Sequence, residues 1–93
     1  MRDLTPAEAD LVNVLKAVAD PTRLQLLALI YANPREATAV WLTNRVRPGA
    51  PTVLHHLRKL TAAGLVVRAL PGEPYVVNLN GLSWLAATLR AFR

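Results

Sequence analysis

The sequence predicts a mainly α-helical domain with one small β-hairpin near its C-terminal end. Three observations predict it. Ninety-three residues make a single domain. Apolar residues recur at three- and four-residue spacing along most of the chain. A β-branched stretch between residues 65 and 79 breaks that period and is itself interrupted by Pro71-Gly72-Glu73-Pro74.

The first helix opens on Thr5-Pro6-Ala7-Glu8. This is an N-cap, a proline whose φ suits the first turn, and a glutamate able to reach back to the cap. Leu11, Val14, Leu15 and Val18 follow at helical spacing, so the helix is expected over 6–19. Asp20-Pro21 ends it and caps the next, because proline disfavours α geometry at the residue before it. In the second helix Leu24, Leu27, Ala28 and Tyr31 form the expected buried stripe, widened by Leu26 and Ile30, and Asn33-Pro34 closes it.

Thr38 caps a short third helix holding Val40, Trp41, Leu42 and Val46. Arg47-Pro48-Gly49-Ala50 is a tight connection to a fourth helix that begins at Pro51. Val53, Leu57 and Leu60 share one face of it, with His56 beside them and partly buried. Gly64 is placed to end it in a left-handed conformation. Leu65 to Leu70 and Tyr75 to Leu79 read as the two hairpin strands. Asn80 is expected to cap a final helix with Leu82, Leu85, Leu89 and Phe92 on one stripe.

Four helices, a hairpin and a last helix in this order describe a winged helix-turn-helix, in which the third helix, the turn and the fourth helix form the central motif. A helix of about 10–12 Å diameter fits the major groove of DNA when a scaffold holds it there. Residues Thr52, His55, Arg58, Lys59 and Ala62 lie opposite the apolar face of the fourth helix. Thr52 and His55, nearer its start, are the candidates for base contact; Arg58 and Lys59 are placed for phosphates, and Ala50, just before the helix, is a further DNA-contact candidate. Arg45 and Arg47 precede the helix, and Arg68 is the one cation of the hairpin.

Charge follows the same division. Residues 1–37 hold four basic and five acidic side chains, whereas residues 38–93 hold seven basic and one acidic. With a net charge of +5 and a pI near 10.8, the chain calls for an anionic partner, of which nucleic acid is the commonest. An exposed Arg-Lys pair is also ordinary solvated surface, so the motif around it carries the inference.

Other chemistry is poorly supplied. There is no cysteine, which excludes disulfides, thiolate metal sites and cysteine nucleophiles. Ser83 is the sole serine, and no HExxH or Gly-rich phosphate loop occurs. Of six acids five precede residue 38, so no enzyme activity and no cofactor is expected. No apolar run reaches the roughly 20 residues of a membrane span. The segment MRDLTPAEAD is acidic where a secretory signal is apolar, which predicts a cytoplasmic protein.

Two stretches resemble the ArsR/SmtB family of winged-helix repressors. Leu15-Lys16-Ala17-Val18-Ala19-Asp20-Pro21-Thr22-Arg23-Leu24 is similar to the signature at the junction of the family's first two helices. Pro51 to Leu60 (PTVLHHLRKL), followed by Ala63-Gly64-Leu65-Val66, is similar to its recognition helix and the entry to its wing. The resemblance covers residues 11–79. It implies a homodimer joined by the first and last helices, with Leu11, Leu15, Leu82, Leu85, Leu89 and Phe92 at the interface. A second buried surface also fits a chain that is 53% hydrophobic. The resemblance further implies repression at a pseudo-palindromic operator, relieved by an inducer or a protein partner.

The departures from the family are specific. Many relatives sense metals through cysteines in the third helix, or through Asp and His on the last helix. This chain has no cysteine, and residues 81–93 contain no Asp, Glu or His. His55 and His56 diverge by about 100° on one helix and cannot chelate a single ion from one face. Metal sensing of the family type is therefore not expected. Leu54 stands where relatives commonly carry a small polar residue, and Glu73 places a negative charge in the wing tip, which predicts a weak wing contact with DNA. Both features also fit an alternative, a winged helix that docks another protein and binds no nucleic acid.

Overall fold

The computed structural model describes residues 6–91. It contains α1 (Pro6–Val18), α2 (Pro21–Ala32), α3 (Ala39–Thr43), α4 (Ala50–Ala62), β1 (Val66–Val67), β2 (Val76–Val77) and α5 (Leu79–Ala91). This is the expected order of elements. The strands form a two-stranded antiparallel hairpin, with Val66 opposite Val77 and Val67 opposite Val76. No helix of the described residues is long and apolar enough to cross a membrane.

The helix ends follow local chemistry. Asp20 Oδ1 accepts the Arg23 backbone N–H at 3.0 Å, capping α2 as expected. Thr38 Oγ1 accepts the Trp41 N–H at 3.1 Å and caps α3. Gly64 adopts φ +75°, which a residue without Cβ reaches with little strain. Its N–H bonds the Thr61 carbonyl, and the Leu65 N–H reaches the Leu60 carbonyl, both at 3.0 Å. These two bonds make a Schellman motif and turn the chain from α4 into the hairpin.

Leu26 and Ile30 of α2, Leu42 of α3, and Val53, Leu57 and Leu60 of α4 meet in one core, each fully buried. Leu65, Val66 and Tyr75 close it from the hairpin side. The Tyr75 N–H donates to the Ala37 carbonyl at 2.8 Å, so the hairpin is bonded to the segment just before α3. Asn78 seals its base: its side-chain amide donates to the Gly64 carbonyl, and its backbone N–H to the Leu65 carbonyl, both at 2.9 Å.

Several boundaries and one face differ from expectation. The buried stripe of α2 is Leu26 and Ile30, while Leu24 (57% exposed), Ala28 and Tyr31 (68% exposed) face outward. The helix is apolar nearly all round, so periodicity gave it no preferred phase, and packing against α4 chose the face. Helix α1 ends at Val18, one residue early, and α3 ends at Thr43, which leaves Val46 in the connection though still packed on the core. Each strand has two residues, and pairing ends at Val67–Val76, well short of the expected strands over 65–70 and 75–79. Asn80 does not cap α5; the helix already includes Leu79. The capping role of Thr5 lies outside the described residues, as do Phe92 and the side chains of Leu82, Leu85 and Leu89.

The bond from the Arg23 N–H holds the Asp20 carboxyl below the usual carboxylate range, with smaller help from the charges of His56 and Arg23 acting against desolvation. A lowered folded-state value means that the cap stabilises fully above the ordinary carboxylate pKa, and that this contribution is lost as pH falls through the lowered value. In thermal unfolding followed by circular dichroism, Asp20→Ala should melt below wild type at pH 7, with the gap narrowing on acidification towards pH 3. Asp20→Asn, which can still cap, should lie between the two at pH 7. A gap that widens on acidification would contradict the assignment.

Candidate nucleic-acid interface

Helix α4 is held in rotation by its inner face. Val53, Leu57 and Leu60 recur at four and three residues and are all 0% exposed. Once they are buried, the geometry of 3.6 residues per turn sends Thr52, His55, Arg58, Lys59 and Ala62 outward. All five are exposed. His56 lies on the flank and is half-buried, with its Nδ1 buried and lacking a hydrogen-bond partner among the described residues. Leu54 lies on the other flank, half-buried and packed against the core. Its apolar side chain thus has a place in the fold.

The remaining sequence-predicted residues surround this face. Arg45 follows α3, with its guanidinium 3.6 Å from the centre of the Trp41 ring and Nη1 donating to the Trp41 carbonyl at 3.1 Å. The two contacts fix the direction of an exposed cation just after the short helix that braces α4. Arg47 is exposed in the connection, and Ala50 is exposed in the first turn of α4. Arg68 leaves β1 and stacks over Tyr75, 4.7 Å from the ring centre. Arg58 and Arg68 line one cavity of about 420 Å³ with Thr61, Ala62, Val67 and Tyr75. The fold thereby joins a cation of α4 to the cation of the hairpin, ten positions away in the chain.

Sequence reasoning missed the two rings that hold these arginines. The four-residue spacing of Trp41 and Arg45, across the end of the short third helix, was a usable signal. So was the hairpin register, which sets residues 68 and 75 opposite each other one step beyond the Val67–Val76 pair.

The residues expected at a dimer interface divide. Leu11 is only 4% exposed and is already covered within the protomer, so it has little surface left for a partner. Leu15, at 45%, is open. Helix α1 packs against α5, and Leu79 and Trp84 of α5 also expose apolar surface. Among the described residues no group of three or more His, Cys, Asp or Glu side chains is arranged to hold a metal ion.

Comparison with known proteins gives a consistent set of likenesses. A family model described as a helix-turn-helix domain matches residues 18–69, more than half of the chain, from the end of α1 through the first strand. The arsenical resistance operon repressor of Staphylococcus xylosus is 31% identical over 71 residues, which is 76% of this chain and 66% of that protein. The chain therefore spans just under two thirds of that relative's length. A solved structure described as an ArsR-like transcriptional regulator from Rhodococcus sp. RHA1 has 27% sequence identity and a TM-score of 0.80, covering 94% of this chain and 82% of the other.

The absence of native cysteine makes the exposed face directly measurable. Single cysteines placed at Thr52, His55, Arg58 or Lys59 should react with a thiol reagent at nearly the rate of a free peptide. Cysteines at Val53, Leu57 or Leu60 should react slower by two or more orders of magnitude, through opening of the fold, on the order of a stability of several kcal/mol. Equal rates at His55 and Leu57 would show that α4 is rotated differently.

Proposed function

The chain belongs to the ArsR-like family of helix-turn-helix regulators, and from that premise we propose that it is a sequence-specific DNA-binding transcriptional repressor acting as a homodimer. The observation that carries this reading is the outer face of α4. Thr52, His55, Arg58 and Lys59 are exposed together on a helix whose opposite face is completely buried. The scaffold is fixed and the polar groups are free, which is what insertion into a major groove requires.

Roles follow from position. Thr52 and His55, in the first half of α4 with Ala50, face base edges. Arg58 and Lys59 meet phosphates, as do Arg45 and Arg47 at the entry to the helix. Arg68, held by the Tyr75 ring, extends the phosphate contacts on the hairpin side, while Glu73 at the tip keeps the rest of the wing away from the backbone. Repression is by occupancy of the site. Control runs without the cysteine-based metal sensing of many relatives, since the chain has no thiolate to offer.

The dimer is proposed through Leu15 of α1, Leu82, Leu85 and Leu89 of α5, and Phe92 beyond it in the sequence. Two copies of α4 then address major-groove faces about 34 Å apart on a pseudo-palindromic site. A second reading, a protein-docking winged helix, draws on the exposed Leu24 and Tyr31 of α2. Salt separates the two, because only the DNA reading releases counterions from a duplex.

Selection from a random duplex library at two salt concentrations should return a two-fold related site. Affinity should fall by roughly 10³–10⁵ between 50 and 200 mM salt for six to ten phosphate contacts. Arg58→Ala or Lys59→Ala should weaken binding to every sequence and lower the salt slope by about one each, whereas Thr52 or His55 replacements should change the preferred bases. Recovery of no duplex at 50 mM salt would reject the DNA reading.

Replacing Leu85 and Leu89 with Glu should yield a monomer by sedimentation velocity, with loss of two-fold binding and with the helical content retained. A dimer that survives both changes would place the interface elsewhere.

A further inference from the structure

On the flank of α4 away from the hairpin lies a cavity of about 410 Å³ lined by Asn13, Lys16, Ala17, Arg23, Lys59, Ala62 and Ala63. Three cations from three helices, Lys16 of α1, Arg23 of α2 and Lys59 of α4, converge on it, and no carboxylate is among its lining residues. Convergent like charges repel unless something of opposite sign lies between them.

Ordinary helix chemistry explains part of this cluster. Lys16 and Lys59 occupy the last turns of α1 and α4, where the carbonyl ends favour cations. Arg23 has the opposite placement. It sits in the first turn of α2, where the helix field disfavours positive charge. Asp20, which caps that turn, engages the Arg23 backbone N–H and does not line the cavity. The guanidinium is drawn across to α1, where Nη2 donates to the Lys16 carbonyl at 3.4 Å, and its Nε is buried without a hydrogen-bond partner among the described residues. The cavity is thus lined by three cations with no counter-charge among its lining residues.

We propose that this cavity is a phosphate-type oxyanion site, with the Arg23 guanidinium as its fork and Lys16 and Lys59 as its point charges. A tetrahedral oxyanion offers acceptors to several donors at once, which matches a guanidinium flanked by two ammonium groups. Two sources present that chemistry. One is the phosphodiester backbone, because the cavity flanks the outer face of α4 on the side opposite the Arg58–Arg68 hollow, and a major groove is walled by phosphates on both sides. The other is a small phosphorylated or inorganic oxyanion from solution. Only the first source rests on the DNA reading above; the site itself does not.

The test has two arms on the full chain. In the first, inorganic phosphate is titrated against chloride at equal ionic strength while ¹H–¹⁵N spectra follow the Arg23 Nε–H and the backbone around Lys16 and Lys59. A saturable, phosphate-specific shift in wild type that is absent in Arg23→Gln and in Lys16→Gln supports filling from solution. The exposed Lys16 carries no packing role, so its variant decides the matter should Arg23→Gln fail to fold. In the second arm, binding to a selected duplex is measured from 50 to 200 mM salt. A slope lowered by about one in Lys16→Gln, a residue outside the helix-turn-helix, supports filling by a backbone phosphate. No phosphate-specific shift together with an unchanged slope overturns the proposal. If wild type binds no duplex at all, the DNA reading fails and the first arm alone decides for or against the site.

Discussion

The rotational setting of α4 is the constraint on which the rest depends. Three side chains, Val53, Leu57 and Leu60, are completely buried against Leu26, Ile30 and Leu42. At about 1.5–3 kcal/mol for each fully buried aliphatic side chain, the triplet favours this setting by roughly 5–9 kcal/mol as an upper figure. Turning the helix by half a revolution would forfeit that and bury His55, Arg58 and Lys59 without partners. The polar face is therefore presented by default, with no dedicated interaction holding it out. The Schellman turn at Gly64 adds a fixed end to the helix, so its position along the axis is set as well as its rotation.

The same contrast explains what was legible beforehand. In α4 apolar and polar residues alternate with clear helical phase, so both the core triplet and the outward residues could be read from spacing alone. In α2 they could not. Leu24, Leu26, Leu27, Ala28, Ile30 and Tyr31 leave hardly any polar side to orient the helix, and the wrong face was expected inside. The expected strands exceed the observed ones because β-branched composition reports a tendency, whereas the two-residue ladder is set by pairing between the two segments. Asn78 escaped notice for a different reason. Its two bonds to Gly64 and Leu65 join positions 13 and 14 residues away, and no local pattern records them.

Cations are distributed on three levels of order. Arg45 and Arg68 are each directed by an aromatic ring, Trp41 and Tyr75. Arg58 and Lys59 project from α4 and gain their directions from the helix. Lys16 and Arg23 lie in the half of the chain whose net charge is slightly negative, and only the fold brings them beside Lys59. Dividing charge by sequence segment located the first two groups and concealed the third. The helix-turn-helix match covers residues 18–69, which include the outer face of α4.

Asn78 closes the hairpin into a loop whose two feet are tied together while its far end, Leu70 to Glu73, is exposed. Lengthening such a tethered loop costs little, about 0.6 kcal/mol for each doubling. Evolution can therefore add, delete or recharge residues at that end without disturbing the core beneath it. Among the described residues, the hairpin tip is thus a place where descendants of the same scaffold can differ without cost to the core.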